Sequence, residues 1–589
     1  MTIRFMRIPD VSLISGARSA LDRHAGLPAG NSHSSTRQPK LSKGGIWRPS
    51  CSKRPCLRTL AAATPRRTVP VAVIASVYLA HASVFGWYIA DDAGISLAYA
   101  RNLAHGFGPV LYAGAPAVEG YSNPLWVAIL TVASGLRLDV GDGIVLLKVG
   151  GLLLGLATLV LTAVLSRTAY PENVEMQWLA PAILALWTPF TFWSGAGLEN
   201  PLYAGCLVAA AILQLRELTN PSSRPWSAVA LLAVALTRPE GCAFFAAFLA
   251  HRLLHAPPRT LDAVGHLAVW CAVFLAGFSL FLLARHAVFG AWVPNTYYAK
   301  AGGRHLIALA YYLSDPADSG WQYVALFIRS GWPVVFAACI SFLAPGHWRS
   351  KTLIAAIVGG TCLYVVFVGG DFWPQARFFT ASLPFLAIAA QRGISIAAQR
   401  LPRGRRVTAA GLLAVVAFIS IRPSLDLSRQ HQNDTLISLQ GRLAQGRKVR
   451  ALADAAGIAD PLYLDPDIGG PALVGLRILD LGGLTDVHIA RFQYDPAFFP
   501  TYVFDEQRPH FIRTQANWTR SSRITEYRQF SEQYVAIEEK RDALGRHGLF
   551  IRRNLTTAAG PRTSQPSFAQ AVRDGRAVRA REKERGRPR

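Results

Sequence analysis

From residue 70 onward the chain alternates apolar runs with short polar patches, and each run has about the 15 to 25 residues a helix needs to cross a bilayer core. The runs lie at 70–90, 144–166, 177–194, 200–215, 265–286, 325–345, 352–369, 378–396 and 407–421. The stretch 226–254 is interrupted by Leu-Thr-Arg-Pro-Glu-Gly, residues 236–241. It reads as two short helices meeting at a polar corner. Counted that way, the pattern predicts about eleven transmembrane helices. The segment Pro124–Leu136 is apolar but short, and is expected to lie on or dip into the outer leaflet.

After residue 425 the apolar runs stop. Helical periodicity over Asp434–Ala456 is followed by β-like runs at Pro461–Asp465, Arg477–Leu481 and Gly548–Arg553, which predicts a soluble α/β domain. The expected fold class is an α-helical polytopic membrane protein with a C-terminal soluble α/β domain. The expected division is a basic tail at 1–69, a transmembrane domain at 70–424, the soluble domain at 425–553 and a second basic tail at 554–589.

Composition sharpens this picture. Of 589 residues, 51% are hydrophobic and 16% charged, which excludes a disordered chain and argues against an ordinary soluble enzyme. The net charge of +26 would point to nucleic acid if the basic residues lined one folded surface. Instead, residues 1–69 carry 13 Lys and Arg against 2 Asp, and residues 562–589 carry 9 against 3 acids. Both tails are rich in Ser, Pro, Gly, Ala and Arg without apolar periodicity and are expected to be solvated and unstructured, so no nucleic-acid partner is expected. The first tail does not read as a secretory signal, whose apolar core would begin far earlier than residue 70. Cys51 and Cys56 lie in that tail and five more cysteines lie in apolar stretches, with no zinc-site spacing.

The short loops carrying Arg252 and Arg259, Arg349 and Lys351, and the arginines between Arg392 and Arg406 are expected on the cytoplasmic side. That orientation puts Asp91–Asn102, Val118–Pro124, Gly195–Asn200, the Arg-Pro-Glu corner, Trp292–Lys300 and Gly369–Arg377 at outer ends. Acids, bases and amides from six places converging on one side are the pattern of an extracytoplasmic active site.

Within these patches the chemistry is specific. Asp91 and Asp92 follow the first span directly, where poor solvation and mutual repulsion raise one carboxyl toward the range of a general base. Their plain alternative is an interfacial stop. Glu119, Tyr121 and Asn123 suit a sugar, offering a ring to stack on and both donors and acceptors, or else they form a turn. Asn295 and Tyr297 add the same chemistry from another patch. Glu199, Arg238 and Glu240 place charge near the bilayer, where structural pairing competes with a ligand role. Arg238, Lys300 and Arg377 are candidates for a phosphate, and Asp371 either orients Arg377 or binds an acceptor hydroxyl. No nucleotide cradle accompanies them. The Asp- and Gly-rich runs 464–470 and 478–491 are turn formers first, with a divalent cation or a glycan as the other reading. A divalent cation is the one cofactor these residues suggest.

Taken in order, Asp91–Trp126, Trp193–Asn200, Leu236–Gly241, Trp292–Lys300, Gly369–Phe379 and Asp480–Arg491 resemble the membrane arabinofuranosyltransferase family typified by the mycobacterial terminal β-(1→2)-arabinofuranosyltransferase. The resemblance spans roughly residues 70 to 500. It implies a GT-C type glycosyltransferase in the bacterial inner membrane with its site on the periplasmic face. A polyprenyl-phosphate sugar would be the donor, and an envelope glycan or glycolipid the acceptor. The family's acidic pair maps onto Asp91 and Asp92, and its Gly-Gly-Asp and Arg motif onto Asp371 and Arg377. Two positions depart from it: Asn200, where a small or hydroxyl residue is expected, and Gly94, where a larger one is.

The expected reaction is a single displacement at the anomeric carbon. Asp91 or Asp92 takes the acceptor proton while Arg377, Arg238 or Lys300 meets the charge on the departing lipid phosphate. The rival reading is a multi-pass transporter or flippase of a lipid-linked sugar, which would place charges at the midplane and show inverted repeats. Neither feature is evident in the sequence.

Overall fold

In the computed structural model the described residues are 65–136, 139–220, 223–301, 320–371, 373–400, 404–433, 438–492, 495–542 and 545–555. The tails expected at 1–69 and 554–589 lie almost wholly outside them, as does the predicted helix start at Asp434. The described residues pack as one compact unit.

Among the described residues four helices are long and apolar enough to cross a membrane: Val140–Ala169, Leu261–Phe289, Trp348–Val368 and the 406–430 portion of Gly404–Asn433. The pair Gly320–Ser330 and Trp332–Leu343, bent by 91°, reaches that length only when taken together, as a broken span or a re-entrant loop. The bend falls at Gly331, where a side chain would run into Trp187, and Pro333 follows at once. The protein is thus a multi-pass membrane protein.

The sequence count of about eleven rested on apolar runs, and several of these fold as short helices. Residues 177–194 form two, Leu179–Leu186 and Thr188–Ser194, broken at Trp187 where Pro189 opens the second. The polar corner is present as expected, between helices Trp226–Thr237 and Gly241–His255. Pro124–Ser134 is an 11-residue helix. Local signals set the ends of the long helices: Asp139 and Asp142 form a capping box at Val140, and Leu261–Phe289 stops at Gly290 in the left-handed region.

The C-terminal region carries a five-stranded sheet, β1 (Leu462–Asp465), β2 (Arg477–Asp480), β3 (Phe511–Thr514), β4 (Tyr534–Asp542) and β5 (Gly545–Arg552), in the order β2-β1-β3-β5-β4. β1 is parallel to β2 and β3, while β5 is antiparallel to β3 and β4. Its own core joins Leu464, Leu479, Phe504, Ile512 and Phe550. A second core crosses between regions, packing Ile89, Ala93 and Leu97 against Leu439, Leu443, Ile468 and Leu473. The sheet region is therefore seated on helix Asp91–Ala104 through buried apolar surface.

Candidate active site

The start of helix Asp91–Ala104 is fixed from two sides. Ala90 N–H donates to the Ala196 carbonyl at 3.0 Å, and Leu439 N–H donates to the Ile89 carbonyl at 2.9 Å. The two adjacent carboxylates then diverge. Asp91 is 5% exposed and accepts N–H bonds from Gly469 (3.0 Å) and Gly470 (2.8 Å), at the opening of the short helix Gly469–Ala472. Burial, and next the charge of Asp467, push its pKa up to about 8. Asp92 has a side chain 42% exposed and meets Arg377 Nη1 at 3.4 Å.

Close approach makes this seam possible. A Cβ on Gly94 would stand 2.6 Å from Leu439 Cδ1 and 2.7 Å from the Gly469 carbonyl carbon. Glycine at position 94 thus has a physical reason: a larger residue would lift the C-terminal region off the helix. Asn295 ties the same seam, its amide donating to the carbonyls of Gly483 (2.8 Å), Leu484 (3.0 Å) and Asp486 (3.3 Å).

Arg377 is nearly buried and sits between carboxylates. Its Nε donates to Asp371 Oδ2 at 2.6 Å, opposite the looser contact to Asp92. Trp193, Trp373 and Phe378 surround the guanidinium at 5.7, 5.9 and 5.6 Å. Trp193 Nε1 also donates to the carbonyls of Pro374 and Gln375, both at 3.2 Å, holding a loop whose Gln375 and Ala376 have φ of 59° and 48°. Such backbone strain persists only where the surroundings over-determine it.

Arg238 has a similar setting. It bonds Glu199 at 2.7 Å and pairs with Glu240, and it lies 5.4 Å from the Phe378 ring that also faces Arg377. Glu199 in turn accepts from Asn123 at 2.8 Å. The structural pairing expected as a rival for Glu199, Arg238 and Glu240 is therefore present. Glu119 is buried in a two-pronged pair with Arg285 (2.7 and 3.1 Å), and Tyr121 packs edge-on against Tyr99 at 4.8 Å. Tyr297 is 46% exposed and edge-on to Tyr298. Lys300 forms no ion pair among the described residues, and its pKa is held below the ordinary lysine value, first by the surrounding protein and then by Arg377.

Asp92, Arg377, Asp371, Arg238, Glu199, Glu240, Asn123 and Lys300 thus come together around one end of the helical bundle. Asp91, Asn295 and Glu119 are committed to structural contacts beside it. The sequence reading missed Arg285, although a lone arginine in an apolar run is a signal in itself. It read the run 464–470 as a turn, or else a cation or glycan site, and not as the partner of Asp91. Among the described residues no group of three or more His, Cys, Asp or Glu side chains is placed to hold a metal ion.

No protein-family model matches this chain, and no curated protein matches it. Solved structures do. ArnT from Cupriavidus metallidurans bound to undecaprenyl phosphate superposes with a TM-score of 0.53 at 14% identity, over 85% of this chain and 100% of that one. The fold is of the GT-C type. ArnT in the apo state gives a TM-score of 0.48 at 13% identity over the same shares. The Archaeoglobus fulgidus oligosaccharyltransferase tethered to an acceptor peptide gives 0.47 at 11%, over 82% and 73%. Within the GT-C fold of this chain, the C-terminal sheet region rests on the helix that opens with the acidic pair.

Proposed function

We propose that this protein is a membrane glycosyltransferase that moves a sugar, arabinofuranosyl or one like it, from a polyprenyl-phosphate donor to an envelope glycan or glycolipid. The reaction takes place on the periplasmic face of the bacterial inner membrane. The observation that carries the reading is the half-exposed Asp92 beside the buried Arg377, with Lys300 and Arg238 close by, in a GT-C fold. The ArnT structure with undecaprenyl phosphate supports a lipid-phosphate donor.

In this reading the acceptor oxygen attacks the anomeric carbon, its proton passes to Asp92, and the carbon–oxygen bond to the lipid phosphate breaks. Asp92 is favoured over Asp91 because Asp91's oxygens are already engaged by two backbone N–H groups. Arg377 is pre-oriented by Asp371 and the tryptophans, so its charge meets the departing phosphate without reorganisation. Lys300 supplies a further cation that forms no ion pair among the described residues, and Arg238, held by Glu199 and Glu240, packs against the Phe378 ring that also faces Arg377. Asn123, Tyr121, Glu199 and Tyr297 are the contacts proposed for the sugar and acceptor.

The test is sugar transfer from a polyprenyl-phosphate sugar by membranes carrying Asp91→Asn or Asp92→Asn. Loss of about 10² to 10⁴ in rate is expected for Asp92→Asn. Full activity of that variant contradicts the assignment.

A further inference from the structure

Helices Val140–Ala169 and Asn200–Glu217 run side by side away from the candidate active site. Asn200 bonds the Arg377 carbonyl at 3.4 Å, and Arg216 lies 16 residues further on, about 24 Å along the axis. Between the far ends of the two helices is a cavity of about 410 Å³ lined by Val164, Arg167, Thr168, Pro171 and Arg216. Both arginines are exposed, and neither side chain forms an ion pair or hydrogen bond among the described residues. Two guanidinium groups facing one cavity repel each other unless an anion lies between them.

The approach to this cavity is apolar. Leu153, Val160, Val164 and Arg167 follow one helical face, with Leu153 and Val160 exposed. Leu202, Cys206, Ala209, Leu213 and Arg216 follow one face of the neighbour, all four of the preceding residues half-buried. The first stripe is about 21 Å long, enough to lie along an acyl chain within one leaflet. An apolar track that ends in two forked cations matches a molecule with a tail and a phosphate head.

We propose that this groove binds an anionic phospholipid, its phosphodiester held by Arg167 and Arg216 and its acyl chain along the two stripes. The site lies at the end of the bundle away from Asp92 and is separate from any donor site. The cleft opens to the surface and leaves room for a glycerophospholipid headgroup between the two arginines.

The experiment uses the full chain purified in mild detergent and exchanged against micelles carrying phosphatidylglycerol or phosphatidylcholine, with retained lipid counted by native mass spectrometry. The wild-type protein should retain phosphatidylglycerol selectively, and R167Q/R216Q should bind it roughly tenfold to thirtyfold more weakly. Val164→Trp keeps both charges and fills the cavity; it should lose the lipid as well, which separates a built site from general surface charge. Unchanged retention in either folded variant overturns the proposal. So does binding of inorganic phosphate or deacylated glycerophosphoglycerol as tight as that of the lipid, which assigns a free-phosphate site instead.

Discussion

Replacing Gly469 by alanine tests how the C-terminal region controls the site. The new methyl would stand 2.9 Å from both the carbonyl carbon and Oδ1 of Asp91, and closer still to the carbonyl oxygen. An unstrained contact to a carbonyl oxygen needs about 3.2 Å, so the closest contact forces the two backbones to part by about 1 Å or more. The N–H bonds from Gly469 and Gly470 to Asp91, at 3.0 and 2.8 Å, then stretch toward breaking. Overpacking alone costs about 1 to 3 kcal/mol, and each weakened bond to a carboxylate up to about 1.5 to 3 more. Asp92 is the next residue along, so its contact to Arg377 shifts with the seam. A displacement of about 1 Å at reacting groups lowers rates by about 10²-fold. The assays are sugar transfer in membranes and protease susceptibility of the 438–555 region. Gly150→Ala, where a Cβ meets nothing within 4 Å, is the matched control and should behave as wild type. Wild-type transfer and protection in Gly469→Ala would refute the seam as the element that sets Asp92.

Arg285→Gln removes one side of the buried pair with Glu119, leaving a carboxylate uncompensated; a loss of about 3 to 5 kcal/mol is expected from thermal unfolding in detergent. Trp193→Phe deletes the donor to the Pro374 and Gln375 carbonyls while keeping most of the ring, so transfer should fall with little change in unfolding temperature, as Arg377 loses its fixed position. Burial raises three carboxyls of the seam and sheet region, Asp91 to about 8, Asp480 to about 7 and Asp467 to about 6. Their folded pKa values exceed the unfolded value near 4, so the folded state binds more protons between about pH 4 and 8 and stability falls as pH rises through that window. Unfolding midpoints measured from pH 5 to 9 check this, and Asp480→Asn should flatten the slope; a midpoint rising with pH contradicts it.

The helical half of the fold was legible because burial in lipid writes itself as long apolar runs, and the corner at Arg238–Glu240 announced itself by proline and charge. Pass number was harder to read, since Trp187–Pro189 and Gly331–Pro333 break runs that composition alone treats as continuous. β3 and β4 were missed because Phe511–Thr514 opens on two apolar residues and closes on two polar ones, and Tyr534–Asp542 is charged after its first four, so neither shows a clean two-residue period. Of the site, residue types and their convergence were readable, but partnership was not. Nothing in two adjacent aspartates says that one faces a Gly-Gly turn nearly 380 residues away and the other an arginine. That difference arises only when helix Asp91–Ala104 meets the C-terminal region, and it is what separates Asp91 from Asp92 as the proposed base.

The most direct measurement of the central claim is a reconstituted assay with purified protein, a radiolabelled polyprenyl-phosphate sugar and an envelope glycan acceptor, following labelled acceptor and released polyprenyl phosphate together. The account predicts that both appear in equal amounts with wild-type protein, that Asp92→Asn lowers both by about 10² to 10⁴, and that Asp91→Asn retains the larger share of activity. Movement of intact donor across the vesicle membrane without release of polyprenyl phosphate, or equal transfer by wild type and Asp92→Asn, would contradict it.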